Sequence, residues 1–158
     1  MQAQPQTSFE EIYRLFLNSI SNDYRLKKMF EDDPEIAEDI LETWLMKSIS
    51  AFTDCRLNLS ALSDFSNKTF TENLWVDEKV ILAEFMVYYW LEYNINNIVQ
   101  MSLTIQDRDF RTHAEERNLT GKSDYADKVR EKTYHLVSEY TKKLHPISSW
   151  GGNINGTT

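Results

Sequence analysis

Glycine and proline are scarce in this 158-residue sequence. Glycine does not occur before Gly121, and Pro34 and Gly121 are the only residues of either type between Gln6 and His145. Because these two residues interrupt helices, their scarcity predicts a largely helical protein. It also excludes a glycine-rich phosphate-binding loop from the first 120 residues, since such a loop needs several glycines.

Cysteine is nearly absent, and the sequence has no recognisable secretion signal. Cys55 is the single cysteine, and the first residues, MQAQPQTSFEEI, carry neither a basic start nor an apolar core. One cysteine cannot form a disulfide within the chain, so we expect an intracellular, reducing origin. A lone buried cysteine usually acts as a small apolar residue.

An excess of positive charge and a long apolar run are also missing. The chain has 17 basic and 25 acidic residues, a net charge of −8 that repels nucleic-acid phosphates. The most apolar stretch is 77–101, but its unbroken apolar part runs only from Phe85 to Leu91. A membrane span needs roughly 20 such residues, so we expect no membrane partner.

Two helix starts are marked in the first half of the chain. Ser8 and Glu11 form a capping box, and Asp33 followed by Pro34 is typical of an N-cap and first helical residue. A break is expected near residues 21–23. The inward stripe of the helix after Asp33 is predicted to contain Ile36, Ile40, Trp44, Leu45, Ile49 and Phe52.

Two longer helices are predicted in the second half. Asp77 is expected to cap a central helix that runs to about Ile105, and Ser123 to cap a last helix that Pro146 ends. Polar connections precede both, the first over residues 57–76. The inward stripe of the last helix is predicted to contain Ala126, Val129, Thr133, Leu136, Val137, Tyr140 and Leu144.

These elements predict an all-α fold: a compact bundle of four to five helices around a long apolar central helix, with an extended C-terminal tail. Residues 1–7 would be a flexible N-terminus, residues 8–145 the helical domain, and residues 146–158 a docking tail.

Candidate catalytic groups are few. Glu84 and Glu92 could act as a pair of carboxylates in acid–base catalysis, but two helical turns, about 12 Å, separate them. The favoured interpretation is that they lie at a seam between helices and pair with Lys or Arg of the last helix or of a neighbouring subunit. His113, His135 and His145 form no metal-binding pattern, so we expect a non-enzymatic protein without cofactor or metal.

The acidic residues are concentrated around the second helix start. Net charge is −7 over residues 1–80, −2 over 81–104 and +1 over 105–145, which favours head-to-side contacts in a ring over a face-to-face dimer. The cluster is either a solvated helix start or a functional surface, with Glu35, Glu38 and Asp39, together with Glu84 and Glu92, as subunit-interface or channel charge. It contains Glu31, Asp32, Asp33, Glu35, Glu38, Asp39 and Glu42.

The last 13 residues, PISSWGGNINGTT, differ from the rest of the chain. They have no charged side chain and three of the four glycines. They are either a disordered terminus or a segment that becomes ordered on a partner. The second interpretation is raised because a solvated tail seldom carries large apolar side chains such as Ile147, Trp150 and Ile154. The candidate partner-binding residues are Ile147, Trp150, Gly151, Gly152 and Ile154.

Residues 75–145 resemble the head-to-tail connector proteins, also called adaptor or head-completion proteins, of tailed phages that infect Gram-positive bacteria. The resemblance rests on Met86 with Trp90-Leu91, on the DRDF stretch from Asp107 to Phe110, on Asn118-Leu119, and on the closing amphipathic helix. The longer N-terminal region, residues 1–56, departs from the shortest adaptors.

This resemblance implies a twelve-fold ring in the virion neck, assembled in the host cytoplasm. The ring would bind the portal protein on one side and a tail-side connector or tail-completion protein on the other, with DNA as non-sticking cargo in its channel. The tail would dock on the portal or a neighbouring subunit. The alternative is a soluble helical interaction or regulatory protein that forms no ring.

Overall fold

The computed structural model describes residues 6–20, 24–105 and 113–146. Within these ranges the chain is mostly helical, which confirms the predicted all-α class, although it has six helices where four to five were predicted. A small sheet is also present. In chain order the elements are β1 (Thr7–Ser8), α1 (Phe9–Ser19), α2 (Tyr24–Asp32), α3 (Pro34–Ala51), α4 (Leu59–Leu62), β2 (Ser63–Asp64), β3 (Thr69–Phe70), α5 (Val76–Ile105) and α6 (His113–Leu144).

The two predicted helix starts in the first half are confirmed. At α1, the Ser8 hydroxyl accepts the Glu10 N–H at 3.1 Å, and the Glu11 carboxylate accepts the Ser8 N–H at 3.3 Å. At α3, Asp33 accepts the Ile36 N–H at 3.2 Å. These side chains satisfy backbone donors that have no partner inside the helix. Helix α1 ends at Ser19 and α2 begins at Tyr24, while the expected break near residues 21–23 lies outside the described residues.

The two predicted starts in the second half are wrong. Helix α5 begins at Val76, so Asp77 lies in its first turn and pairs with Lys143 Nζ at 2.6 Å. Helix α6 begins at His113, so Gly121 and Ser123 lie inside it. A single glycine costs a helix only about 1 kcal/mol relative to alanine, which a helix of 32 residues tolerates. The stretch from Asp107 to Phe110 lies outside the described residues.

The sheet ties the N-terminus to the connection before α5. Strand β3 lies between β1 and β2 and pairs antiparallel with each, so Phe70 faces Thr7 on one side and Ser63 on the other. Thr7 is fully buried; its hydroxyl accepts the Leu74 N–H at 2.8 Å and donates to Asn73 Oδ1 at 3.1 Å. Thr7 is therefore part of the folded structure, and its inclusion in the predicted flexible N-terminus, residues 1–7, is wrong; residues 1–5 lie outside the described residues.

The hydrophobic core lies along α5, which packs against α1, α3 and α6. Most of the predicted inward stripes are confirmed: Trp44, Leu45 and Ile49 are buried on α3 and Phe52 directly after it, and Ala126, Val129, Thr133, Val137 and Tyr140 are buried on α6. Ile36 is an exception, with 53% of its surface exposed. It lies in the first turn of α3, and residues spaced by four drift around a helix of 3.6 residues per turn.

Candidate functional site

Among the described residues, Glu78 in the first turn of α5 is the polar residue whose side chain has the most hydrogen-bond and ion-pair partners. Its side chain is 0% exposed, yet its carboxylate has partners from three segments. Arg56 Nε lies 2.8 Å from Oε1, the Tyr140 hydroxyl donates to Oε1 at 2.7 Å, and the Trp75 N–H donates to Oε2 at 2.6 Å. A buried carboxylate is tolerated because these donors replace water.

Arg56 and Tyr140 hold each other as well as Glu78. The Arg56 N–H donates to the Tyr140 hydroxyl at 3.0 Å, so that hydroxyl acts as both donor and acceptor. The Arg56 guanidinium also lies over the Trp75 ring, 4.2 Å from its centroid, in a cation–π contact. The "Glu78 cluster", meaning Cys55, Arg56, Glu78 and Tyr140, therefore joins the turn after α3 to α5 and α6.

Cys55 is the one nucleophilic side chain in this cluster. Its Sγ lies 3.7 Å from Glu78 Oε1 and 3.8 Å from the Tyr140 hydroxyl. Burial, followed by the nearby Glu78 charge, raises the pKa of the Cys55 thiol. Burial is also the main cause that raises the pKa of Tyr140. The Cys55 thiol and the Tyr140 hydroxyl therefore stay protonated at neutral pH. Because the thiolate is the nucleophilic form of cysteine, this arrangement favours a structural role for the cluster.

Glu84 and Glu92 have different partners. Glu84, 12% exposed at its side chain, pairs with Lys132 Nζ of α6 at 2.7 Å, as expected for an acid at a seam between helices. Glu92 accepts the Tyr88 hydroxyl at 2.6 Å, on its own helix. Burial, and then the hydrogen bond to Glu92, raise the pKa of Tyr88 to about 12. The two carboxylates are thus engaged separately.

The acidic residues at the start of α3 divide into two groups. Asp33 caps the helix, and Glu38 pairs with Lys68 Nζ at 2.6 Å. That contact raises the pKa of Lys68. Glu35 and Asp39 are exposed on the protein surface. The first group is explained by local structure, whereas the second is available to another molecule.

The other candidate positions form no metal site in the part of the chain that the structure describes, where no three His, Cys, Asp or Glu side chains are grouped as ligands. His135 and His145 are exposed. Across the same ranges, no helix combines the length and apolarity needed to cross a bilayer. The predicted docking residues Ile147, Trp150, Gly151, Gly152 and Ile154 lie outside the described residues.

Large apolar side chains are exposed on several elements. Some lie within α3, α5 and α6, and two others lie at or just before the start of α5. Among the described residues they are Ile36, Met46, Trp75, Val76, Tyr93, Tyr125 and Tyr134.

Two surface grooves adjoin these side chains. The "α3–α5 groove", about 340 Å³, is lined by Met46, Lys47, Ser50, Ala51 and Tyr89. The "α6 groove", about 460 Å³, runs along the last helix and is lined by Asp54, Tyr134, Val137, Ser138, Thr141, Lys142 and His145.

Sequence reasoning missed the Glu78 cluster. One local signal was present, because Glu78 is the third residue of α5 and an acid at that position commonly accepts the N–H of the residue before the helix. Arg56 and Tyr140 gave no such signal, since they lie far away along the chain. Comparison with protein-family models, with curated proteins and with solved structures finds no match for this chain.

Proposed function

We propose that this chain is a structural subunit of a tailed-phage virion: a head-to-tail connector that forms a twelve-fold ring between the portal and the tail. In this proposal the helices form a compact bundle with α5 at its centre. The ring extends the DNA channel, and the subunit performs no reaction. The resemblance of residues 75–145 to connector proteins motivates the proposal.

The observation that motivates the proposal is exposed apolar surface on each of two helices, α3 and α6. Ile36 and Met46 are exposed on α3, and Tyr125 and Tyr134 are exposed on α6, while both helices pack against α5. A ring needs two different patches on each subunit, because each copy contacts its neighbours through unlike surfaces. Exposed apolar surface of this kind commonly marks a protein interface.

Charge supports the same role. Glu35 and Asp39 are exposed at the start of α3, and the whole chain carries a net charge of −8. Acidic side chains facing a channel would repel DNA phosphates, so that DNA could pass without binding. Glu84 and Glu92 contribute less to such a surface, because each is already engaged by a partner within the subunit.

The C-terminal tail supplies the contact beyond the subunit. In the assembled neck, its apolar side chains would dock on the portal or on a neighbouring copy. An uncharged extended segment gains affinity from main-chain hydrogen bonds and from pockets for alternate side chains. A tail-side connector or tail-completion protein would bind the opposite surface of the ring.

Mass measurement in solution tests the assembly. Native mass spectrometry and light scattering should show rings for the full chain, alone or after mixing with portal rings. Met46→Asp and Tyr134→Asp, one substitution on each surface, should each prevent ring formation, whereas Thr53→Asp, at an exposed polar position, should not. A chain that stays monomeric and does not bind portal rings would contradict the proposed connector role. It would favour the alternative, an interaction protein that forms no ring.

Deletion of residues 146–158 tests the tail. Circular dichroism should show unchanged helical content, while assembly with the portal weakens, and Trp150→Ala should reproduce most of that loss. A collapse of thermal stability would instead place the tail in the core of the subunit.

A further inference from the structure

The outer face of α3 is a continuous exposed stripe. Its side chains are spaced by three and four residues, so they follow one line along the helix. They are Ile36, Asp39, Thr43, Met46 and Ser50, all of them exposed. Two of them, Ile36 and Met46, are large apolar side chains that are about half exposed. The stripe is therefore open to another molecule.

The α6 groove presents a line of similar spacing. Its exposed side chains on α6 are Tyr134, Ser138, Lys142 and His145. Tyr134 and Lys142 are eight residues apart, about 12 Å along the helix axis, and on α3 Asp39 and Met46 are seven residues apart, about 10 Å. Two contacts that lie two turns apart on each helix can therefore form at the same time.

The two faces carry opposite charge. Residues 34–43, the first half of α3, contain four acidic residues and no basic one. Residues 132–145, the part of α6 that contains the groove, have three lysines and one acidic residue. Complementary charge of this kind favours the contact of one surface with the other and fixes its register.

The charged side chains that line the groove are compatible with α3 as the occupant. The Lys142 ammonium pairs with Glu139 at 2.7 Å, but both side chains are exposed, and such a surface pair is weak enough to exchange. Asp54 is the acidic side chain in the groove lining, and Lys47, next to Met46 on α3, supplies a cation for it.

Charge also selects the direction of α3 in the groove. If α3 lies antiparallel to α6 with Met46 on the Tyr134 ring, Asp39 comes opposite Lys142. A parallel arrangement with the same apolar contact would instead place Asp39 opposite Asp127, seven residues before Tyr134. Because like charges repel each other, the antiparallel arrangement is favoured.

We propose that α3 of one copy lies antiparallel in the α6 groove of the next copy, with Met46 against the Tyr134 ring and Asp39 paired with Lys142. Methionine suits such a contact, because its flexible thioether packs well on an aromatic ring. The inference rests on the proposed function, since it names the surfaces through which the copies in the ring meet.

Charge reversal tests the contact. Asp39→Lys and Lys142→Glu should each raise the protein concentration needed for half-assembly about tenfold, because each variant places like charges opposite one another. Native mass spectrometry and light scattering measure this concentration for the full chain, alone and with portal rings.

Mixing the two variants separates a lost contact from a damaged fold. An equimolar mixture of Asp39→Lys and Lys142→Glu should assemble like the unaltered chain, since alternating copies then join an acid to a lysine at every contact. Glu72→Lys, at an exposed position outside both helices, is the control. It should assemble normally by itself and should not restore assembly when it is mixed with Lys142→Glu.

The outcomes distinguish this contact from the proposed ring. A ring that forms equally well with either reversed charge would overturn the contact and leave the connector role standing. A dimer that depends on the same charge pair would support the contact and contradict the twelve-fold ring. The absence of any self-association, alone and on portal rings, would overturn both proposals.

Engineered cysteines test the direction of α3. With Cys55→Ala as background, Asp39→Cys with Lys142→Cys should form disulfides between chains about tenfold faster than Asp39→Cys with Asp127→Cys, because a docked helix holds its cysteine at a high effective concentration. Non-reducing gels measure both rates. Equal rates, a faster second pair, or a disulfide within one chain would overturn the proposal.

Discussion

The two halves of α5 are held in different ways. The first half, from Val76 to Leu91, begins at the buried Glu78 and continues through Leu82 and Met86, which are fully buried. In the second half, Tyr93 is 51% exposed, and Asn96 and Asn97 are exposed. Among the side chains that the structure describes, those of the first half are therefore the more deeply buried, although Ile95 of the second half packs partly against the core and the Tyr93 ring lies 6.1 Å from that of Trp44. The exposed part of the Tyr93 ring is apolar surface that another molecule could cover.

The largest expected effect comes from breaking the buried end. Glu78→Ala should lower the free energy of unfolding by about 4 kcal/mol, because it leaves the Arg56 charge and the Tyr140 hydroxyl without their acceptor. Urea denaturation followed by circular dichroism measures this loss. Glu72→Ala, at an exposed acidic position, should change stability little. A loss below about 1 kcal/mol for Glu78→Ala would mean that the cluster does not hold α5.

Core truncation should distinguish the two halves directly. Met86→Ala should cost about 3 kcal/mol through the cavity that it creates, since Met86 is fully buried. Tyr93→Ala should cost less than about 1 kcal/mol, as expected for a half-exposed side chain. Equal losses in the same denaturation experiment would show that the second half is as firmly packed as the first.

A smaller effect isolates one hydroxyl of the Glu78 cluster. Tyr140→Phe keeps the ring that packs on Phe52 and Trp75 but removes the group between Arg56 and Glu78. We expect a loss of about 1.5 kcal/mol in unfolding free energy. Tyr125→Phe, with an exposed ring, serves as control. An unchanged stability for Tyr140→Phe would show that the Arg56 ion pair alone maintains the cluster.

The smallest effect concerns Tyr88, near the boundary between the halves. Its pKa is raised from 10.0 to about 12, so between these values the unfolded chain loses a proton that the folded chain keeps. The stability that this group contributes is therefore complete below pH 10 and declines as pH rises toward 12. Tyr88→Phe should reduce the slope of unfolding free energy against pH in this window. An identical slope in Tyr88→Phe and in the unaltered chain would mean that folding does not raise the pKa of the Tyr88 hydroxyl.

What the sequence could predict depended on how far apart the interacting residues are. The starts of α1 and α3 were predictable, because Ser8 and Asp33 act on N–H groups within three residues. The start of α5 was misplaced by two residues, because Glu78 binds the Trp75 N–H and Asp77 instead pairs with Lys143. Each acid alone fits a helix start, and only the packing of α6 decides between them.

The Glu78 cluster illustrates what lay beyond prediction. Arg56 and Tyr140 lie 22 and 62 residues from Glu78 along the chain. No local sequence pattern indicates that these two side chains will contact Glu78. The start of α6 was missed for a different reason. Ser123 was predicted to cap this helix, but the helix already includes Gly121, where a Cβ would contact nothing within 4 Å, so packing neither requires the glycine nor opposes a helix there.

The buried threonine in β1 has a consequence for the order in which a nascent chain can close. Thr7 holds the Leu74 backbone, and its strand pairs with β3, so the first helix cannot be anchored until residue 74 has left the ribosome. The hydrogen bond from Tyr140 to the Glu78 carboxylate can form only later, because Tyr140 is synthesised after residue 74. During translation, the contact of Thr7 with Leu74 can therefore form before the contact of Glu78 with Tyr140.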